Sequence, residues 1–166
     1  MRISARHFAA SFSLAFLVLP GCQSTATMHQ KSIGAHVVFV CEHGNVKSLI
    51  SASAFNLIAA QRGLPFHAIS RGLHPESTVP PQIVDAMHRE GVEVAEFVPQ
   101  QLTLPDVTGA SRVVGIGVDL SSFEGKTTSP IDAWNDVPPA SVDYAASRAA
   151  LVRHINELLD ELVTQH

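Results

Sequence analysis

HVVFVCEHGNVKS, residues His36 to Ser48, joins a strand to a helix through a short polar loop. The apolar run Val37–Val40 delivers Cys41 into the loop, which ends in Lys47 and Ser48, and an amphipathic pattern begins at once with Leu49 and Ile50. Strand, tight loop and helix in that order make an anion cradle, because backbone N–H groups turn inward and the helix N-terminus adds partial positive charge. A cysteine at the mouth of such a cradle is expected to be substantially thiolate at neutral pH. The loop can then hold an oxyanion and attack it. A nucleotide-binding P-loop is excluded, since G-x-x-x-x-G-K-S would need glycines where Cys41 and Val46 stand.

Working outward, the N-terminal side reads as targeting sequence. Arg2 and Arg6 precede a short apolar run, Phe8–Leu19, too brief to span a bilayer comfortably. It ends in Leu19-Pro20-Gly21-Cys22, which resembles the lipobox of bacterial lipoproteins. That resemblance implies a signal peptide over residues 1–21, lipidation of Cys22, and a chain anchored in the bacterial cell envelope. Gln23 after the cysteine favours the periplasmic face of the outer membrane. Residues 22–34 are polar and aperiodic, a tether to a domain over residues 35–166.

On the C-terminal side, strands and helices alternate. A helix is expected from about Val46 to Arg62, a strand at Phe66–Ser70, and a helix from near Pro80 to Gly91. Val92–Phe97 reads as a weak extended piece and Leu102–Val107 as a short helix or loop. Strands follow at Arg112–Gly117 and near Ile131–Trp134. The last helix, about Ser141 to Val163, is expected to bury Val142, Ala145, Ala149, Val152, Ile155, Leu159 and Leu162. The pattern implies a three-layer α/β fold, flavodoxin-like, with a parallel sheet of about four strands and helices on both faces. In such sheets ligands bind beyond the carboxyl ends of the strands, where strand order reverses, and Cys41 ends the first strand.

Composition narrows the functions. The net charge is −4 and no two Lys or Arg residues are adjacent, so no nucleic-acid partner is expected. Two cysteines, Cys22 and Cys41, rule out a disulfide framework. Nine histidines occur without H-x-x-x-H spacing, so neither a metal nor another cofactor is expected.

Cys41-x5-Lys47-Ser48 at a strand–helix junction resembles the C-x5-R-S loop of low-molecular-weight protein tyrosine phosphatases and their arsenate-reductase relatives. Ser70-Arg71-Gly72-Leu73-His74-Pro75 is similar to the family's S-A-G-T-x-P segment, Val79–Gly91 to its second helix, Val113–Gly117 to its third strand, and Trp134–Pro139 to its acid loop. The resemblance implies the phosphotyrosine phosphatase I-like fold and hydrolysis of a phosphomonoester through a phosphocysteine on Cys41. Backbone N–H groups of Glu42, His43, Gly44, Asn45, Val46 and Lys47 would hold the phosphoryl oxygens, and Ser48 would favour the thiolate. Asp136 would protonate the leaving group, with Asp132 a poorer second. Partners are then a phosphorylated substrate or a free oxyanion, and the membrane through the lipid. His43, Arg71, His74 and Trp134 are further residues that could border the pocket.

Three departures bear on activity. Lys47 replaces the family arginine, keeping charge and losing the planar fork that grips two oxygens. Gly44 stands where the family has asparagine, with Asn45 one place later. Asp136 lies two residues ahead of Pro138 rather than beside it. These keep two alternatives open, a non-catalytic oxyanion-binding or sensing lipoprotein, and an arsenate reductase that borrows an external thiol. The thioredoxin-coupled relatives carry further cysteines, and Gly117–Ser121 has none.

Overall fold

The computed structural model describes residues 36–165. The calls on residues 1–21, 22–34 and Cys22 lie outside those residues. Among the described residues no helix is long and apolar enough to cross a membrane.

Four parallel strands form one sheet: β1 (His36–Cys41), β2 (His67–Gly72), β3 (Arg112–Ile116) and β4 (Ile131–Trp134), in the order β2-β1-β3-β4. β1 is central, and Val37 to Cys41 are all buried, which accounts for a run that is apolar on both faces. Val37 and Phe39 point to one face, where they join Val114, Ile116 and the apolar residues of three helices. These are α1 (Lys47–Gln61), α2 (Pro81–Arg89) and α4 (Tyr144–Gln165). Val38 and Val40 point to the other face, against Val113, Leu102 and Val107 of the short α3 (Leu104–Gly109). The chain leaves β1 to one side for β2 and then crosses back over it to β3. The reversal falls at the carboxyl end of β1, where Cys41 sits.

Local signals set the element ends. α1 and α2 stop at turns through Gly63 and Gly91, where Leu64 N–H donates to Ala59 O (2.9 Å) and Val92 N–H to Met87 O (3.0 Å). Both are the six-to-one bonds of a Schellman motif. α3 opens on a capping box: Thr103 Oγ1 accepts from Asp106 N–H, and Asp106 accepts from Thr103 N–H.

Two expectations are corrected. Val92–Phe97 forms no strand; Val94 alone is buried there, in an irregular stretch that packs beside β2. In α4 the buried face is Ser147, Leu151, Ile155, Leu158, Leu159 and Leu162, while Val142 is 83% exposed and precedes the helix. Helical periodicity cannot tell an alanine stripe from the stripe that docks; Ser147 is buried, and Ala145 and Ala149 are exposed.

Candidate functional site

The loop between β1 and α1 is built from its carbonyls outward. Cys41 O accepts from Leu73 N–H (3.1 Å), Glu42 O from His74 N–H (2.8 Å), and His43 O from Glu76 N–H (3.3 Å). Gly44 O lies 3.0 Å from Ser70 Oγ. With four successive carbonyls turned toward β2 and the segment after it, the amides turn the other way. Among the described residues, no N–H from Glu42 to Val46 donates to a protein acceptor. α1 then starts at Val46 with no side-chain cap and no acidic residue in its first turn. An unpaired nest of amides thus meets an uncapped helix N-terminus, an arrangement suited to an anion.

Gly44 makes the turn possible. Its φ is +69°, and a Cβ there would come within 2.8 Å of Gly72 N, so the loop rests directly on the end of β2. Asn45 takes no positive φ and does other work. Its buried side chain donates to Glu76 Oε2 (2.7 Å) and Thr78 O (2.8 Å), pinning the far side of the loop.

Cys41 Sγ lies 3.0 Å from Ser48 Oγ, and Ser70 Oγ lies 2.8 Å from Ser48 Oγ. Both serines are buried. Ser70 has one hydroxyl proton to place on Gly44 O or on Ser48 Oγ; when it goes to Ser48, the Ser48 proton is free to face the sulfur. Lys47 Nζ sits at the carboxyl end of β3, where a Cβ on Gly117 would come within 3.0 Å of it. Among the described residues no carboxylate lies within ion-pair distance of that ammonium.

These groups border a cavity of about 220 Å³, whose loop side is Cys41, Glu42, His43, Asn45, Val46 and Lys47. Its other walls are mostly aliphatic: Pro80 and Ile83 at the start of α2, Ile116 and Gly117 after β3, and Pro139 and Ala140 before α4. Gln82 and Ser141 add the remaining polar groups. A larger open cleft of about 450 Å³ adjoins at Gly117, but Asp119, Glu124 and Asp132 line it, and it would repel an oxyanion.

The acid loop departs from expectation. Asp136 does not border the cavity; its carboxylate binds His154 Nε2 and Arg153 Nη2 on α4, each at 2.7 Å. His154 and then Arg153 hold it below the ordinary carboxylate range, keeping it charged at neutral pH. Asp132 pairs with Arg112 Nη1 at 2.8 Å. Trp134 does not wall the cavity either, but packs on Phe39 at 5.4 Å and under His154 at 4.7 Å. Arg71 forks onto Asp106 with two bonds of 3.1 and 3.0 Å, away from the loop. His74 does not border the cavity; its Nδ1 lies 2.7 Å from Glu42 Oε1. The walls at Pro80, Gln82, Ile83 and Pro139–Ser141 went unread in sequence, since neither the first turn of α2 nor the loop before α4 carries a local signal of what it faces.

Against known proteins, residues 36–116 match the family model "Low molecular weight phosphotyrosine protein phosphatase". No curated protein sequence matches the chain. Among solved structures, YfkJ of Bacillus subtilis superposes with a TM-score of 0.67 at 18% identity, over 81% of this chain and 98% of that one. The YwlE arginine phosphatase of Bacillus subtilis, carrying a phosphorylated active-site serine, gives 0.66 at 20% identity, over 76% and 95%. The thioredoxin-dependent arsenate reductase of Corynebacterium glutamicum gives 0.65 at 19%, over 82% of this chain and only 65% of that one. The domain therefore has the fold shared by low-molecular-weight phosphotyrosine phosphatases and arsenate reductases, and over residues 36–116 it matches the phosphatase family model itself.

Proposed function

We propose that the chain is a hydrolase of the low-molecular-weight phosphatase type, cleaving a phosphoryl group from its substrate through a phosphocysteine on Cys41. The observation that carries this is the run of unpaired amides from Glu42 to Val46 beside a sulfur that faces Ser48, in a loop that borders the cavity. In the first step the Cys41 thiolate attacks phosphorus while the amides and the Lys47 ammonium take up the charge on the phosphoryl oxygens. In the second, water attacks phosphorus and releases inorganic phosphate. The loop itself supplies the electrostatic stabilisation.

The test is hydrolysis of p-nitrophenyl phosphate by the full-length chain beside Cys41→Ser. Turnover that disappears in the variant supports the reading; no turnover above buffer between pH 5 and 7 ends it. A second reading, a binding or sensing module for oxyanions, draws support from Lys47 and from the direction Asp136 takes. Calorimetric binding of phosphate or vanadate without turnover would favour it. Arsenate reduction ranks third, because Cys41 is the one cysteine among the described residues and an external thiol would have to complete the cycle.

We also propose that Cys22 is lipidated and tethers the domain at the periplasmic face of the outer membrane. Labelling with a fatty-acid probe that is lost in Cys22→Ala supports this; equal labelling of the variant ends it.

A further inference from the structure

In an in-line displacement the leaving group departs from phosphorus opposite the attacking sulfur, so a proton for it must come from the walls that face the loop. Those walls are Pro80, Gln82, Ile83, Ile116, Gly117, Pro139, Ala140 and Ser141, and none carries a titratable side chain. The three carboxylates of the neighbouring segment are each engaged elsewhere. Asp132 is held by Arg112, Asp136 by His154 and Arg153, and Asp143 accepts from Ala146 N–H (2.9 Å) at the start of α4. Glu42 and His43 border the cavity from the loop side, but their side chains bind the segment behind the loop: Glu42 Oε1 to His74 Nδ1 (2.7 Å), and His43 Nδ1 to His74 O (3.2 Å).

Among the described residues the cradle thus faces walls that carry no acid, and such a site selects substrates by the basicity of the leaving oxygen. We infer that this site acts on acyl phosphates, whose carboxylate departs as a stable anion, in preference to phosphotyrosine or alkyl phosphates. A phenol such as that of tyrosine titrates near 10, and a carboxylic acid near 4. The inference rests on the phosphocysteine reading above and narrows it. The S–P bond forms as the P–O bond to the acyl group breaks, and the electron pair leaves on the carboxylate oxygen without a proton. Water then attacks phosphorus, the P–S electrons return to Cys41 as thiolate, and one water proton passes to phosphate or solvent. Among the described residues no free carboxylate faces the attacking water either, so the second step is slow and a burst precedes the steady state.

The experiment measures kcat/KM, which reports the first step, for the full-length chain with acetyl phosphate, p-nitrophenyl phosphate, phenyl phosphate and O-phosphotyrosine. Acetyl and p-nitrophenyl phosphate are expected to be cleaved, and the other two to fall lower by about 10²–10⁴, the usual contribution of a general acid. Asp136→Asn and Glu42→Gln should leave the ratio between substrates as it is. Phenyl phosphate within about tenfold of p-nitrophenyl phosphate, or a ratio that widens in either variant, overturns the inference while the phosphatase reading survives. Failure of Cys41-dependent turnover with every substrate overturns both.

Discussion

The segments 41–48 and 134–141 reach the same end of the sheet and are held in opposite ways. The first is shaped by its own backbone: four successive carbonyls are tied to residues 70–76, and the amides have only the cavity to face. The second depends on the aim of one side chain, and α4 makes Asp136 a better offer than the cavity does, with one imidazole and one guanidinium at 2.7 Å. On the proposed reading, phosphoryl binding would rest on the main chain, whereas proton delivery from the second segment would hang on a single carboxylate that α4 has recruited.

That contrast can be broken at several points. The largest effect is expected at Cys41. Replacing it with serine should lower kcat by at least about 10⁴-fold, as loss of a nucleophile does. Phosphate should still bind, because the amides remain; loss of binding in calorimetry would show that the sulfur, and not the main chain, holds the anion. Lys47→Arg restores the planar fork and should raise kcat/KM roughly tenfold or more, part of what one transition-state donor supplies. An unchanged or lower value would mean that the space beside Gly117 rejects the longer side chain.

Smaller effects bear on how the loop is braced. Gly44→Ala forces a side chain into positive φ and against Gly72, and should cost about 2 kcal/mol of stability, read as a lowered thermal midpoint. A wild-type midpoint would reveal slack in the loop. Asn45→Ala removes the two bonds to Glu76 and Thr78 and should cost about 1–2 kcal/mol. The smallest change concerns Asp136. Its proton affinity is lowered in the folded chain by His154 and then Arg153, so it contributes stability above the ordinary carboxylate value. That contribution is lost as pH falls from about 4 through the depressed folded value. Urea midpoints between pH 2 and 5 should therefore fall a little less steeply in Asp136→Asn, and identical slopes would detach Asp136 from the pair on α4.

Much of this arrangement was legible along the chain. The run Val37–Val40 reads as a buried central strand, because it is short and apolar at consecutive positions, and a glycine-containing polar loop leading into a helix N-terminus is a common setting for an anion site. β3 was readable for the same reason as β1, whereas β4 lies at the sheet edge, carries Asp132 and buries only Trp134. Val92–Phe97 misled because alternation over a few residues fits an irregular segment whose one apolar side chain, Val94, fills a gap as well as it fits a strand. Val142 misled because periodicity continued past the true start of α4 at Tyr144. Asn45 could be seen as displaced from its usual position, but its bonds to Glu76 and Thr78 join residues more than thirty apart in sequence.

What the chain settles alone is local: a strand, a turn that needs a glycine, an uncapped helix start, and a cysteine where they meet. Those follow from sterics and hydrogen bonding among neighbours, which sequence order already places together. Where Asp136 points, which groups close the cavity, and where the Lys47 ammonium rests were decided only by packing. A charged side chain goes to the partners that folding brings within reach, and those come from α4 and β3, elements whose approach depends on the whole sheet.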